Sequence, residues 1–100
     1  MTAYTYRISP RSAELGGGFH VRFYEDEVEM GGGVFSADPN DAPEEGINWW
    51  NSIAEDERAH WLAQASSARP VDAWGAFLCS QAHADAIAEG QAWVERMGAA

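Results

Sequence analysis

Residues 19–30, FHVRFYEDEVEM, carry the clearest structural pattern in the chain. Apolar side chains at every second position from Phe19 to Phe23 alternate with more polar ones, which is the period of two that is typical of a half-buried strand. The acidic triplet at positions 25–27 predicts a turn, and the alternation resumes at Val28. The pattern therefore predicts a β-hairpin with one apolar face.

A further strand is predicted before the hairpin. Residues 3–8, AYTYRI, alternate so that two tyrosines and Ile8 share one face. The glycine run at positions 31–33 interrupts the second strand of the hairpin, and glycine within a strand indicates a bulge or a close approach by another backbone. The same run lacks the Lys-Ser/Thr of a phosphate-binding loop. We expect residues 1–36 to form a three-stranded antiparallel sheet.

Residues 37–46, ADPNDAPEEG, hold two prolines and four acids and predict a surface loop between a β part and an α part. From residue 47 to residue 98 the apolar spacing is helical, with a predicted break near residues 52–54. Pro70 suits the first position of the last helix. The chain is thus predicted to be one α+β domain, with a three-stranded antiparallel sheet in the N-terminal half packed against a C-terminal helical half.

Two details of the helical part stay open in the sequence. Gly75 and Gly90 each weaken a helix by roughly 1 kcal/mol relative to alanine, so residues 71–97 form either one helix or two. Trp49 and Trp50 point about 100° apart on a helix. Burial of both, within a tryptophan stripe that covers the tyrosine and phenylalanine face of the sheet, is the favoured arrangement. An exposed Trp49 beside carboxylates is the alternative, and it would be a binding hot spot.

The charge of the chain is strongly unbalanced. Sixteen acids stand against six arginines and no lysine, which gives a formal net charge of −10. Such a surplus repels nucleic acid and anionic membranes and speeds encounter with basic surfaces. We therefore expect a basic protein surface as partner, with neither direct nucleic-acid binding nor membrane binding, while solubility alone is the competing explanation of the acidity. The oligomeric state stays open.

The sequence also indicates a compartment. The single Cys79 excludes an internal disulfide, and this favours a reducing environment. The apolar runs are too short for a membrane span, and residues 1–16 lack the plan of a secretion signal. We expect a cytoplasmic protein.

Few residues suggest catalysis. Cys79 and His83 stand four apart on a predicted helix, so both can lie on one face, and His20 or His60 would complete a zinc site with them. A buried thiol beside a surface histidine is the simpler explanation of the pair. As a Cys-His nucleophile the pair lacks an orienting third group. Asp38 and its neighbours do not have the spacing of a calcium loop. The sequence therefore predicts no enzyme, no cofactor and no metal, and a metal-dependent enzyme built on Cys79 and His83 is kept as an alternative.

The acids are the leading candidates for function, because those between positions 25 and 57 have one neighbouring base, Arg58, at the edge of that window. Carboxylates at this density imitate the phosphates of a nucleic acid and suit a cationic groove, whereas a solvated face is the simpler explanation. The predicted partner-binding residues are Glu25, Asp26, Glu27, Glu29, Asp38, Asp41, Glu44, Glu45 and Trp49.

One part of the chain carries a resemblance. Residues 49–62, WWNSIAEDERAHWL, and residues 70–74, PVDAW, resemble a pattern in small proteins of phages and plasmids of proteobacteria. In its small size, its acidity and its lack of catalytic residues the chain also resembles the anti-CRISPR proteins of such elements. This resemblance implies an inhibitor that binds a basic nucleic-acid-handling surface, such as that of a type I CRISPR surveillance complex, and it transfers no residue roles. The alternative function is a structural or accessory protein that self-associates through aromatic surface.

Overall fold

A computed structural model describes residues 2–99 and has an antiparallel sheet with three helices after it. The strands follow one another in the order β1-β2-β3, with a short 3-10 helix between the first two. The predicted α+β class, with the sheet in the N-terminal half and the helices in the C-terminal half, is confirmed. The elements are β1 (Tyr4–Pro10), β2 (Phe19–Glu25), β3 (Val28–Phe35), α1 (Pro43–Ser52), α2 (Glu55–Ala65) and α3 (Pro70–Ala99).

The predicted hairpin is β2 and β3, joined by a tight turn at Asp26 and Glu27. Both residues have positive φ, 49° and 71°, as a two-residue turn needs when its twist matches that of the strands. The turn is fastened to the start of β1, because the Ala3 N–H donates to Asp26 Oδ1 over 2.8 Å and the Asp26 N–H donates to the Ala3 carbonyl over 2.8 Å. Asp26, one of the predicted partner-binding acids, therefore also holds the hairpin turn against the start of β1.

The glycine run lies within β3, where the backbones of two strands come close. The register between β2 and β3 shifts between Phe23 and Tyr24, opposite the start of the run. A Cβ on Gly32 would overlap the carbonyl oxygen of Val21. The predicted bulge and close approach are therefore both present, while β3 itself continues through the glycines.

The sheet packs against the second half of α3. Val21, Phe23 and Ala86 form the buried centre, and the ring of Trp93 stacks on that of Phe23 with centroids 4.8 Å apart and planes 8° apart. Small residues on α3 let the helix lie close to the strands, most sharply at Gly90, where a Cβ would be 2.5 Å from Cγ of Tyr6. The core under the sheet is thus built from small helical residues and one tryptophan.

A second aromatic cluster lies beyond the sheet, between α1, α2 and the first half of α3. The Trp49 ring centroid is 4.8 Å from that of Phe77, 5.4 Å from that of Trp74 and 6.4 Å from that of Trp61. The prediction that the tryptophan stripe covers the sheet is therefore wrong for every tryptophan except Trp93. A thirty-residue helix is roughly 45 Å long, and strands of up to eight residues span only about 26 Å. The first half of α3, which extends beyond the sheet, is therefore covered by α1 and α2.

The helix bounds show that the last helix is continuous and confirm the predicted break before it. α3 is continuous from Pro70 to Ala99 through both internal glycines. The predicted break is present, since α1 ends at Ser52 and α2 begins at Glu55. α1 begins at Pro43, whose missing N–H is not needed at a first helical position. Residues 43–46 of the predicted loop are therefore the first turn of a helix.

Candidate functional site

The predicted acids fall into two groups at different places along the molecule. The acidic hairpin, defined as Glu25, Asp26, Glu27 and Glu29, lies at the β2–β3 turn. The acidic loop, defined as Asp38, Asp41, Glu44 and Glu45, lies between β3 and α1 and in the first turn of α1.

The two groups do not form one continuous patch. The acidic loop borders Leu78 of α3, whereas the end of the sheet with the acidic hairpin borders Trp93, which contacts Tyr4 with ring centroids 5.7 Å apart. From Leu78 to Trp93 a helix rises roughly 22 Å at 1.5 Å per residue. The molecule measures 51 × 27 × 22 Å, so the separation is a large part of its length.

The acidic hairpin is partly engaged within the sheet. Glu29 Oε1 is 3.3 Å from Nε of Arg22. Arg22 lies directly opposite Arg7 on the face of the sheet that α3 does not cover, so this face is locally basic. Burial raises the pKa of the Tyr4 phenol, and the adjacent Glu25 carboxylate raises it further.

The acidic loop is free of such pairing. None of its four carboxylates takes part in an ion pair with another side chain in the range 2–99. Asp38 Oδ1 accepts the Asn40 N–H over 2.9 Å, which closes a local turn, while Asp41, Glu44 and Glu45 are exposed. The loop therefore presents unneutralised carboxylates to solvent.

An apolar pocket of about 140 Å³ opens beside the acidic loop, where α1 crosses the start of α3. Close packing of α1 on α3 shapes it, because a Cβ on Gly46 would be 2.7 Å from Cδ1 of Trp74. Side chains at its rim are exposed, Ile47 at 61% and Val71 at 38%. We call this the apolar pocket, and it is lined by Pro39, Pro43, Gly46, Ile47, Trp50, Pro70, Val71 and Trp74.

A smaller pocket of about 110 Å³ adjoins it and carries charge. We call this the acidic pocket, and it is lined by Ser36, Ala37, Asp38, Asp41, Ala42, Glu45, Trp74 and Leu78. Trp74 belongs to both pockets and is only 8% exposed. Its Nε1 is buried and has no hydrogen-bond acceptor among residues 2–99. An unpaired buried donor of this kind is rare and costs about 1–3 kcal/mol.

The hot-spot alternative requires an exposed Trp49, but neither of the two adjacent tryptophans of α1 is exposed. Trp49 is half-buried within the aromatic cluster between the helices. Trp50 lines the apolar pocket and lies under the Arg58 guanidinium, 5.2 Å from its ring centroid. Ile47, the first residue of the predicted helical part, is exposed at the rim of the apolar pocket. The i, i+4, i+7 spacing from Pro43 to Ile47 and Trp50 is the signal that sequence reasoning missed.

The predicted Cys-His residues line a different, open cleft of about 610 Å³ between α2, α3 and the sheet. His60, Cys79 and His83 all border it, and the His83 ring packs against Phe19 with centroids 4.8 Å apart. Cys79 is exposed, so the expectation of a buried thiol is wrong. Over residues 2–99 no three His, Cys, Asp or Glu side chains are grouped closely enough to hold a metal ion.

Comparison with known proteins adds no relative. In the described part of the chain no helix is both long enough and apolar enough to cross a membrane. No protein-family model, no curated protein and no solved structure matches this chain.

Proposed function

We propose that this protein is a binding protein that occupies a basic, nucleic-acid-handling surface of a partner complex in the cytoplasm of a host cell. The observation that carries the proposal is the acidic loop, whose carboxylates are free of ion pairs with the other described side chains. Three of them, Asp38, Asp41 and Glu45, line the acidic pocket. A net charge of −10 adds a long-range attraction toward cationic surfaces, which raises the association rate at low salt.

The shape of the molecule supports a channel as the place of binding. The two acidic groups are roughly 22 Å apart along α3, at 1.5 Å per residue. Successive phosphates of one nucleic-acid strand are about 3.4 Å apart, so this distance corresponds to about six nucleotides. A cationic channel of that length would contact the acidic loop and the acidic hairpin together, and nucleic acid would compete with the protein for it.

The candidate partner follows from the resemblance to anti-CRISPR proteins of mobile elements. A type I CRISPR surveillance complex holds nucleic acid along a basic surface, and an inhibitor that covers such a surface needs carboxylates and no catalytic residue. In this proposal the protein is an inhibitor encoded by a mobile element, and it acts by occupancy rather than by chemistry.

The test neutralises the exposed acids of the acidic loop and measures affinity for the surveillance complex over a range of salt concentrations. One variant carries Asp41→Asn, Glu44→Gln and Glu45→Gln. A matched control carries Asp85→Asn, Glu89→Gln and Glu95→Gln, which remove the same charge from exposed positions on α3. We expect the loop variant to bind more weakly and with a shallower salt dependence than the control. Equal affinity and equal salt dependence of the two variants would eliminate the proposal.

Self-association is the second candidate function, and a different surface favours it. β3 is an edge strand, and Val28, Met30 and Val34 on it are each more than half exposed. Edge strands with exposed apolar side chains are prone to pair with another chain. None of the large apolar side chains that are exposed in the range 2–99 is aromatic, so this association would use aliphatic and methionine side chains rather than aromatic ones. Light scattering decides, since a constant monomer mass up to high concentration excludes a dimer.

A further inference from the structure

We infer that the apolar pocket and the acidic pocket together form a recognition site for a basic peptide segment of the partner that carries one large apolar side chain beside arginine or lysine. This inference rests on the proposed function and specifies how the protein recognises the basic surface. The apolar side chain enters the apolar pocket, and the neighbouring cation enters the acidic pocket.

The size of the apolar pocket fits one side chain. Its volume is about 140 Å³, and an apolar cavity of roughly 150 Å³ is known to accept a benzene molecule. A leucine, methionine or phenylalanine side chain is of this scale. A pocket so small does not take a helix face or a folded domain, which limits the occupant to a single anchor.

Most side chains that line the apolar pocket are rings with few rotatable bonds. Three prolines, Pro39, Pro43 and Pro70, and two indoles, Trp50 and Trp74, supply most of its lining. Rings lose little conformational entropy when a partner binds, so the free energy of burial is retained as affinity. A preformed apolar site with few polar groups is what ligand-binding pockets generally offer.

The charge beside the apolar pocket selects the occupant. Asp38, Asp41 and Glu45 line the acidic pocket and form no ion pair with the described residues. Arginines of this chain lie on the other side of the apolar pocket, where Arg58 covers Trp50 and Arg69 precedes Pro70. An occupant is therefore oriented, with its cation toward the acidic loop.

Trp74 joins the two pockets. It lines both of them, is 8% exposed, and its indole N–H lies against Gly46 of α1, where a Cβ would be 2.9 Å from Nε1. One extended segment that passes over Trp74 can therefore place one side chain in each pocket.

The experiment uses short synthetic peptides and the full chain. The probe is an arginine-rich peptide with one central leucine, and its two controls replace the leucine by alanine or every arginine by glutamate. We expect the leucine peptide to bind about tenfold or more tightly than the alanine peptide, because the pocket buries the side chain. The glutamate peptide should not bind. Anisotropy of a labelled peptide measures each affinity.

Protein variants locate the site. Ile47→Asn at the exposed rim should abolish the preference for leucine over alanine. Leu15→Asn, the same kind of change at a site that is 68% exposed and does not line the apolar pocket, should preserve it. Equal affinity for the leucine and alanine peptides would overturn the inference and leave the proposed function standing on charge alone. A change of mass on Ile47→Asn in light scattering without peptide would also overturn it, because a second copy of this chain would then be the occupant.

Discussion

The contact between Gly90 of α3 and Tyr6 of β1 tests how closely the long helix lies on the sheet. A Cβ at position 90 would be 2.5 Å from Cγ and 2.8 Å from Cε2 of the tyrosine ring. The ring cannot turn away easily, since its root atom is among those approached and Tyr6 is held in register with Phe23. Gly90→Ala must therefore displace either the strand or the helix.

Two opposing effects determine the magnitude. Alanine is better than glycine in a helix by about 1 kcal/mol. Overpacking of a well-filled core costs typically 1–3 kcal/mol. We expect Gly90→Ala to lower the free energy of unfolding by up to about 2 kcal/mol, because three ring atoms are affected at once. Gly75→Ala on the same helix is the matched control, because its Cβ would meet Pro39 no closer than 3.7 Å, and it should gain roughly 0.5–1 kcal/mol.

Urea unfolding followed by far-ultraviolet circular dichroism measures both variants against the wild type. A third background, Tyr6→Val, removes the ring and keeps a good strand former at position 6. In that background Gly90→Ala should become neutral or stabilising, and the double-mutant cycle isolates the steric coupling. If Gly90→Ala stabilises the wild type as much as Gly75→Ala does, α3 does not lie against Tyr6 and the close packing described above is refuted.

Three further predictions concern local features. Ser66 follows the last residue of α2 with φ 50°, in the left-handed region that glycine adopts without strain. Ser66→Gly should therefore raise the free energy of unfolding by roughly 0.5–1 kcal/mol. An unchanged free energy of unfolding in urea denaturation would contradict this prediction. The pKa of Tyr4 is raised from its ordinary value of 10.0, first by burial and then by Glu25, so the folded state holds this proton more tightly than the unfolded state. Its contribution to stability is complete below the ordinary pKa and is lost as pH rises from there through the raised pKa of the folded state. Tyr4→Phe should therefore reduce the loss of stability above about pH 10, as measured by urea midpoints. An unchanged pH profile would refute this assignment. Cys79 is exposed, so a thiol reagent should titrate it fully in the native protein without denaturant, and a reaction that requires urea would show that the thiol is covered.

The candidate site shows where sequence reasoning succeeded and where it stopped. The acids were recognised from their density along the chain, because the type of each side chain can be read directly from the sequence. Their division into two groups was not predictable, because the acidic loop folds back along α3 toward Trp74 while the acidic hairpin lies at the far end of the sheet. The apolar pocket was missed because the helix was expected to begin at residue 47, which hid the shared face of Pro43, Ile47 and Trp50.

The strands, the hairpin turn, the break between α1 and α2 and the start of α3 at Pro70 could all be predicted from the amino-acid pattern. These features depend on spacing within a few residues, where the periods of two and of 3.6 and the backbone limits of proline apply locally. Three features could be known only from the packed molecule: which tryptophans cover the sheet, why a glycine stands at position 90, and which acids share a surface. Those outcomes depend on a helix that is longer than the sheet beneath it, and that relation exists only when the distant parts of the chain are packed together.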